Sequence, residues 1–216
     1  MVISAIALFI IGTALTLGLR TWVQWKRTRD TGHRHDPAPR FSAQWWSHQL
    51  VLLNNFLVAA GPIAALFGLS SLPSLDHTAL NVSGVVITVA ALAFTVAAQF
   101  HMGDSWRVGV DREEHTSLVV GGFFACVRNP IFVGFAAGSA GMALMVPNIF
   151  SLAGFVSSVV SVQVTVRLVE EPYLVAMHGE EYIRYADKVG RFVPGVGRLR
   201  HADDRYTSGR QVSTES

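Results

Sequence analysis

The chain has 216 residues, of which half are hydrophobic and 15% are charged, and its formal net charge is +2. So small a net charge argues against nucleic acid as a partner, and the single cysteine, Cys126, excludes both a disulfide framework and a cysteine-rich metal site. The apolar fraction therefore directs attention to a membrane.

Three apolar runs without a charged residue, 2–19, 50–69 and 80–100, come first along the chain. Each is long enough to cross a bilayer core, which requires roughly 20 apolar helical residues. The first run has no basic segment before it and no small-residue cleavage site after it. We therefore expect it to be a retained span rather than a cleaved signal peptide.

Two shorter apolar runs, 131–146 and 149–166, are separated only by Pro147-Asn148. This arrangement predicts a helical hairpin that folds back within one membrane. The predicted fold is an all-α integral membrane protein with five transmembrane helices and a C-terminal hairpin.

All 17 Lys and Arg residues fall in three segments, 20–47, 102–130 and 167–216. Five spans place these segments on one side of the membrane, and the positive-inside rule makes that side cytoplasmic. We therefore expect an integral protein of a bacterial inner membrane, in contact with anionic headgroups, with its N-terminus outside and its C-terminus inside.

The predicted organisation has three parts. Residues 1–100 contain three spans and a basic cytoplasmic loop over 20–47, in which His33 and His35 lack a third ligand, so no metal site is expected. Residues 101–194 contain a glycine-rich loop, the hairpin over 131–166 and a cytoplasmic helix. Residues 195–216 are polar and are expected to be disordered.

The cytoplasmic helix is predicted from apolar residues at spacings of three to five: Leu174, Met177, Tyr182, Tyr185 and Val189. This spacing indicates an amphipathic helix that lies against the membrane face as a cap, with Gly179 dividing it into two pieces.

A polar stripe descends the last span. Gln163, Arg167, Glu170 or Glu171, and Leu174 are three or four residues apart and share one helical face. Two interpretations remain open for this stripe. Either the arginine extends to lipid headgroups while the glutamates mark the helix end, or the stripe contributes to a site.

The stretch Arg128-Asn129-Pro130 also allows two interpretations. Asparagine is a good helix N-cap and proline suits the first helical turn, so the three residues can simply begin a helix. However, Gly121-Gly122 precedes them and allows a close backbone approach, and a helix N-terminus is a favourable place for a carboxylate. Small residues that follow, such as Gly134 and Gly141, predict close helix packing.

Two motifs resemble the isoprenylcysteine carboxyl methyltransferase family. The stretch "VRNPIFVG" is similar to the family signature R-H-P-x-Y-x-G, and "EEPYLVAMHGEEYIRYADKVGRFVP" is similar to its E-E-x-x-L…Y-x-x-Y…R-x-x-P ending. The resemblance covers about residues 100 to 194 and includes the hairpin between the motifs.

The resemblance implies a membrane enzyme that binds S-adenosylmethionine in a cytoplasmic pocket and methylates a lipid-like substrate from the bilayer. It implies catalytic roles for Arg167 and Asn129. The implied cofactor-binding residues are Thr116, Ser117, Leu118, Val119, Phe124, Asn129, Pro130, Ile131, Phe132, Glu170, Glu171, Tyr182 and Tyr185.

Two positions depart from the family signature: Asn129 replaces a histidine and Phe132 replaces a tyrosine. The asparagine still forms hydrogen bonds but cannot titrate near neutral pH. A reductase that binds NADPH through Arg184, Lys188 and Arg191 is one alternative, by fold-level analogy with sterol reductases, and a non-enzymatic membrane scaffold is another. The sequence selects neither the methyl acceptor nor the oligomeric state.

Overall fold

The computed structural model describes residues 1–33, 38–106 and 117–199, and these residues form helices joined by turns, with no β-strand among them. The expectation of an all-helical fold is confirmed. In chain order the helices are α1 (Val2–Thr28), α2 (Ala43–Leu66), α3 (Thr78–His101), α4 (Phe123–Cys126), α5 (Pro130–Met145), α6 (Ile149–His178) and α7 (Glu180–Lys188).

Helices α1, α2, α3 and α6 are long and apolar enough to cross a membrane. Helix α5 is equally apolar but has 16 residues. It is therefore about 24 Å long, which is less than the roughly 30 Å of a typical bilayer core. Four spans are thus supported by length and composition, and the fifth is still a prediction.

The predicted basic loop over 20–47 is shorter in the structure, because both flanking helices extend into it. Helix α1 continues to Thr28, and α2 begins at Ala43, where the Ser42 hydroxyl accepts a hydrogen bond from the backbone N–H of Trp45 at 3.1 Å. This N-cap satisfies an N–H that the helix itself leaves without a partner. Hydropathy located the apolar centres of these helices but not their polar ends.

Buried polar groups join the end of α1 to the end of α3. The Arg20 guanidinium, 1% exposed, donates to the Gln24 side chain at 2.9 Å and to the carbonyls of Gln99 and Gly103 at 3.3 and 2.5 Å. It also lies 4.6 Å from the centroid of the Trp106 ring, which favours a cation–π contact. We call Arg20, Gln24 and Gln99 the Arg20 cluster.

Helices α3 and α5 pack at close range, as the small residues of α5 predict. A Cβ atom at Gly134 would lie 2.0 Å from Thr95 Oγ1, and one at Gly141 would lie 2.4 Å from Thr88 Oγ1. Neither distance is sterically possible, so both glycines are required for this approach. The packing places the first turn of α5 beside the end of α3.

The predicted hairpin turn between α5 and α6 is present, and Asn148 organises it. Its side-chain oxygen accepts from the N–H of Ser151 at 3.0 Å, and its amide donates to the Gly61 carbonyl at 2.8 Å. One buried side chain therefore caps α6 and also fastens the turn to α2. The turn lies at the opposite end of α5 and α6 from Asn129 and Glu170.

Helix α6 contains a π-helical turn at Val166–Glu170, immediately before Pro172. Proline has no N–H, and its ring would clash with the Leu168 carbonyl in a regular α-helix. A π turn accommodates one extra residue, and the residues after it are rotated about the helix axis. The predicted polar stripe is therefore split: Arg167 still bonds Gln163, but Glu171 turns toward the protein interior.

Gly179, with φ of +52°, separates α6 from α7 at the position where the sequence predicted a division. Beyond α7 the chain folds back, and the N–H of Leu199 donates to the Ala186 carbonyl at 3.0 Å. Leu199 is buried, so the predicted disorder from residue 195 is wrong for 195–199. Its apolar side chain and the backbone bonds of this turn hold it in place. Residues 200–216 lie outside the described part of the chain.

Candidate functional site

A buried ion-pair cluster of two arginines and one glutamate lies where the C-terminal helices meet. Glu171 Oε1 is 2.5 Å from Arg128 Nη2, and the Arg191 guanidinium contacts both Glu171 oxygens, at 2.8 and 2.6 Å. The side chains of Glu171 and Arg128 are each 1% exposed. We call Arg128, Glu171 and Arg191 the Glu171 cluster.

The two terminal nitrogens of Arg128 also bind backbone carbonyls. They donate to Ala186 and Val189 at the end of α7 and to Gly197 in the turn that follows, at 3.0, 2.5 and 3.1 Å. The backbone N–H of Arg128 also donates to the Gly190 carbonyl at 2.8 Å. The segment before α5 is therefore fixed to α6, α7 and the turn beyond them through one side chain.

The Glu171 cluster brings together two residues that the sequence singled out. Asn129 follows Arg128 in the chain and Glu170 precedes Glu171, so both flank the buried pair. Glu170 is half-buried and has neither an ion-pair nor a hydrogen-bond partner among the described residues. Because a half-buried carboxylate without a partner is unfavourable, this one is available to a ligand.

Asn129 does not act as the N-cap that its position predicts. Its φ and ψ are −126° and 59°, and its amide donates to the Arg191 carbonyl at 3.2 Å instead of accepting from the first turn of α5. The cap is lost because the backbone of 128–129 is already paired with 190–191. The N–H groups at the start of α5 are therefore left without a side-chain cap, a condition that favours a negatively charged group nearby.

Aromatic residues form one side of this region. The rings of His101 and Phe124 are stacked, with centroids 6.3 Å apart and an interplanar angle of 21°. Gly122 lies directly against His101: its φ is +55°, and a Cβ atom there would be 2.4 Å from the imidazole ring. This position therefore requires glycine both for its backbone conformation and for space.

Two tyrosines of α7 close the region from the other side. Burial raises the pKa of Tyr182, with a further contribution from the nearby Glu171 carboxylate. Burial also raises the pKa of Tyr185 to about 12. Both phenols are therefore protonated at neutral pH, and the Tyr185 hydroxyl donates to the Phe124 carbonyl at 2.6 Å.

Residues 79–181 match the family model described as phospholipid methyltransferase. The chain is also 34% identical to protein-S-isoprenylcysteine O-methyltransferase B of Arabidopsis thaliana over 89 residues, which are 41% of this chain and 45% of that protein. It is 29% identical to the A form of the same plant over 123 residues, which are 56% of this chain and 62% of that protein.

The resemblance to the isoprenylcysteine carboxyl methyltransferase family is confirmed. Each alignment covers less than two thirds of the relative's length. Within the matched residues lie Arg128, Asn129, Glu170 and Glu171, whereas Tyr185 and Arg191 lie beyond them.

Arg167, to which the resemblance gave a catalytic role, is exposed one turn before Glu170. Its Nε donates to the Gln163 side chain at 2.8 Å. The two terminal nitrogens have no partner among the residues that the structure describes. The hydrogen bond to Gln163 orients the guanidinium and leaves its outer edge open.

The other residues implied by the methyltransferase resemblance have various surroundings. The Ser117 hydroxyl lies 2.9 Å from that of Ser105, and Leu118 packs against Tyr182 and the rest of the apolar cluster beneath α7. Thr116 lies outside the described residues. Four residues remain: half-buried Val119 in the loop, buried Pro130 at the start of α5, and half-buried Ile131 and Phe132 in its first turn.

Both side-chain oxygens of Glu171 accept hydrogen bonds from arginines inside the protein. A cofactor-binding role for this residue stays a prediction. Sequence reasoning did not distinguish Glu171 from Glu170, because the two are adjacent and chemically identical. The π turn before Pro172 separates them.

Sequence reasoning also missed Arg128, Arg191 and His101 as members of this region. Arg128 was interpreted only as part of a helix start or of the family signature, and Arg191 as a possible ligand of NADPH. One signal was available for the arginines: a glutamate pair at the end of an apolar helix requires compensating cations when it is buried. No comparable pattern indicates His101, whose position depends on the packing of α3 against the loop.

Proposed function

We propose that this chain is a membrane-embedded methyltransferase that transfers a methyl group from S-adenosylmethionine to a lipid-like acceptor. The observation that carries the proposal is the Arg128–Glu171 pair, which joins the residue before Asn129 to the residue after Glu170 within the family-matched region. The names of the family model and of the relatives support methyl transfer.

The residues fit the charges of this cofactor. The methionyl part of S-adenosylmethionine carries an ammonium group and a carboxylate. Glu170 would accept hydrogen bonds from the ammonium group or from a ribose hydroxyl, and the uncapped start of α5 would bind the carboxylate. The His101–Phe124 stack offers flat aromatic surfaces to the adenine or the sulfonium.

When bound, the cofactor supplies an electrophilic methyl group on a positively charged sulfur. The remaining task of the chain is to align the acceptor and to exclude water. Alignment is worth on the order of 7–11 kcal/mol of barrier at best. Arg167 would hold an acceptor carboxylate with its two free terminal nitrogens, and such an acceptor is already ionised at pH 7 and requires no base. The replacement of the family histidine by Asn129 is compatible with this chemistry.

We further propose five passes through the membrane, with the site on the side that carries the three basic segments. The positive-inside rule supports a cytoplasmic site. On this topology Arg167 lies at the membrane–water boundary, where a lipid acceptor would present a polar head.

The NADPH alternative is disfavoured by the position of Arg191. Arg191 was one of the three cations expected to bind the 2′-phosphate of NADPH in this alternative. In the structure it donates two hydrogen bonds to Glu171. Arg184 and Lys188 are exposed on α7. A non-enzymatic scaffold would not account for an unpartnered, half-buried carboxylate beside an uncapped helix start.

Cofactor binding tests the proposal directly. Isothermal titration of the purified protein in nanodiscs should show binding of S-adenosylmethionine, and Glu170→Ala should weaken it about tenfold to hundredfold through loss of a charge-assisted hydrogen bond. Glu181→Ala removes an exposed glutamate from α7 and is the matched control. Absence of binding by the wild-type protein would refute the proposal.

The acceptor class can be tested separately. The protein is incubated with methyl-labelled S-adenosylmethionine and a lipid extract, and the labelled lipid is then treated with alkali. A carboxylate acceptor gives a methyl ester, which releases labelled methanol, whereas an N-methylated headgroup retains its label. Retention of the label would overturn the carboxylate assignment and leave methyl transfer intact.

A further inference from the structure

The end of α1 and the start of α2 carry a concentration of exposed aromatic side chains. Trp22 and Trp25 on α1 are 51% and 42% exposed, and Phe41 and Trp46 around the start of α2 are 73% and 50% exposed. Neither pair is needed to bury a core. Exposed tryptophans at the end of an apolar helix are typical of the boundary between lipid and water.

Two cations lie on the α1 tryptophans. Lys26 Nζ is 4.3 Å from the centroid of the Trp22 ring, and Arg29 Cζ is 5.1 Å from that of Trp25. Trp22, Trp25 and Lys26 follow the spacing i, i+3 and i+4, so they occupy one face of the helix end, and Arg29 follows just beyond the helix with a left-handed backbone. Arg20 and Gln24 are buried on another face of the same helix.

Stacking on an indole limits the motion of a long cationic side chain and leaves its N–H donors pointing outward. Attraction to the negative end of a helix would by itself account for cations in the last turn. It would not account for their placement over tryptophans that are themselves exposed. The pairing indicates cations that are held at the depth of the lipid headgroups.

The charge around these residues is one-sided. Residues 20–47 contain six Lys and Arg residues and two aspartates, whereas residues 67–77, at the other end of α2 and α3, contain one aspartate and no Lys or Arg. A cationic, aromatic-rich end matches the anionic lipids of a membrane leaflet. The net charge of the chain, only +2, would not produce this difference by itself.

We propose that Trp22, Trp25, Lys26, Arg29, Arg40, Phe41 and Trp46 form a docking surface for the headgroups of anionic phospholipids. The indoles lie at the level of the glycerol backbone, and the two stacked cations donate hydrogen bonds to the headgroup phosphate. Zwitterionic lipids carry a phosphate as well, but their own ammonium group compensates it, so the surface selects anionic lipids. This inference is independent of the proposed methyltransferase activity.

The tryptophans are themselves the reporters. The chain has five, of which four lie within residues 22–46 and the fifth, Trp106, is buried. The protein is placed in nanodiscs of zwitterionic lipid with a small, fixed fraction of lipid that has brominated acyl chains and either a phosphatidylglycerol or a phosphatidylcholine headgroup. Brominated phosphatidylglycerol should quench the tryptophan fluorescence more strongly. At low salt the enrichment should approach about fivefold per contacting cation, and at 1 M salt, where the Debye length is about 3 Å, it should disappear.

The double variant Lys26→Gln, Arg29→Gln should quench equally with the two lipids. The matched control, Arg184→Gln with Lys188→Gln, removes the same charge from exposed positions of α7 and should retain the wild-type preference. Equal quenching of the wild-type protein by both lipids would overturn the proposal, as would equal loss of preference in both double variants. If the first variant does not fold, the wild-type preference and its salt dependence decide the matter.

Discussion

Two arginines are buried at the same end of the helix bundle, and the hydrogen bonds that they donate differ. Those of Arg20 include bonds to two backbone carbonyl oxygens and to one amide side-chain oxygen. Arg128 donates to carbonyls as well, but also to Glu171, which a second guanidinium contacts at the same time. Both arginines were interpreted from the sequence as markers of topology.

The comparison shows that removing a buried charge lowers the free energy of unfolding by an amount that depends on which partner groups stay behind. Without Arg20, neutral oxygens lose donors. Without Glu171, the buried guanidinium of Arg128 loses its carboxylate partner, which is much more unfavourable in a low-dielectric surrounding, and the half-buried Arg191 loses two hydrogen bonds. The Arg20 cluster attaches α1 to α3, whereas the Glu171 cluster fixes the elements that carry the proposed site.

The largest effect is expected for Glu171→Gln. The substitution keeps the shape of the side chain and removes the charge, so the buried Arg128 loses its carboxylate partner. We expect a loss of about 3–5 kcal/mol in the free energy of unfolding, as found when one partner of a buried pair is removed. Thermal unfolding in nanodiscs measures it, and binding of S-adenosylmethionine should be lost in parallel.

Glu181→Gln is the matched control for this experiment, because it makes the same chemical change at an exposed position of α7. It should unfold at the wild-type temperature. Equal unfolding temperatures for the two variants would contradict the assignment of Glu171 as the counter-charge of both arginines.

A smaller effect is expected for Arg20→Met, which removes the hydrogen bonds of the Arg20 cluster but keeps an apolar stem. Loss of donors to buried neutral oxygens should reduce stability by about 1–3 kcal/mol. The affinity for S-adenosylmethionine should be unchanged, because the cluster does not contact Asn129 or Glu170. Thermal unfolding and titration together check both parts.

Arg27→Met, at an exposed position of α1, serves as the reference for this variant. The comparison between the two clusters would fail if Arg20→Met destabilised the protein more than Glu171→Gln, or if it abolished cofactor binding while the protein stayed folded.

The smallest effect is expected for Tyr185→Phe, which removes one hydrogen bond beside the Glu171 cluster. At about pH 8 the variant should be less stable by roughly 0.5–1.5 kcal/mol. Burial raises the pKa of Tyr185 in the folded protein to about 12, above the ordinary value of 10.0. The contribution of the Tyr185 hydroxyl to the free energy of unfolding is therefore complete below pH 10, and it is lost as the pH rises from 10 toward 12.

Thermal unfolding of both proteins at about pH 8 and pH 11 measures this contribution. The wild-type protein should lose more stability than the variant between the two values, because phenylalanine does not titrate. Identical losses would mean that the Tyr185 hydroxyl is not held protonated by its surroundings in the folded protein.

The helical parts of this fold could be predicted from sequence because they follow from local patterns. Uncharged apolar runs indicate helices that are long and apolar enough to cross a membrane. Gly179 marks the division of the last helical segment, and Pro147-Asn148 marks the hairpin turn. The polar helix ends at Thr28 and Ala43 were not predicted, since caps and tertiary hydrogen bonds stabilise them rather than hydropathy.

The site residues stay predictions. The two motifs singled out Asn129 and Glu170, and the Arg128–Glu171 bond joins the residues next to them in the chain. The N-cap role of Asn129 was wrong, because its backbone pairs with residues 190–191, more than 60 positions away in sequence. Such a pairing leaves no periodic pattern in the chain.

The sequence by itself determined that this protein has apolar helices with all of its cations in three segments, because hydropathy and charge are properties of each residue. Only the tertiary structure decided which of two adjacent glutamates is enclosed by arginines and which is free to meet a ligand. The physical reason is rotation about the helix axis. The π turn before Pro172 changes the direction of the side chains that follow it, and the helices packed around them determine what each side chain contacts.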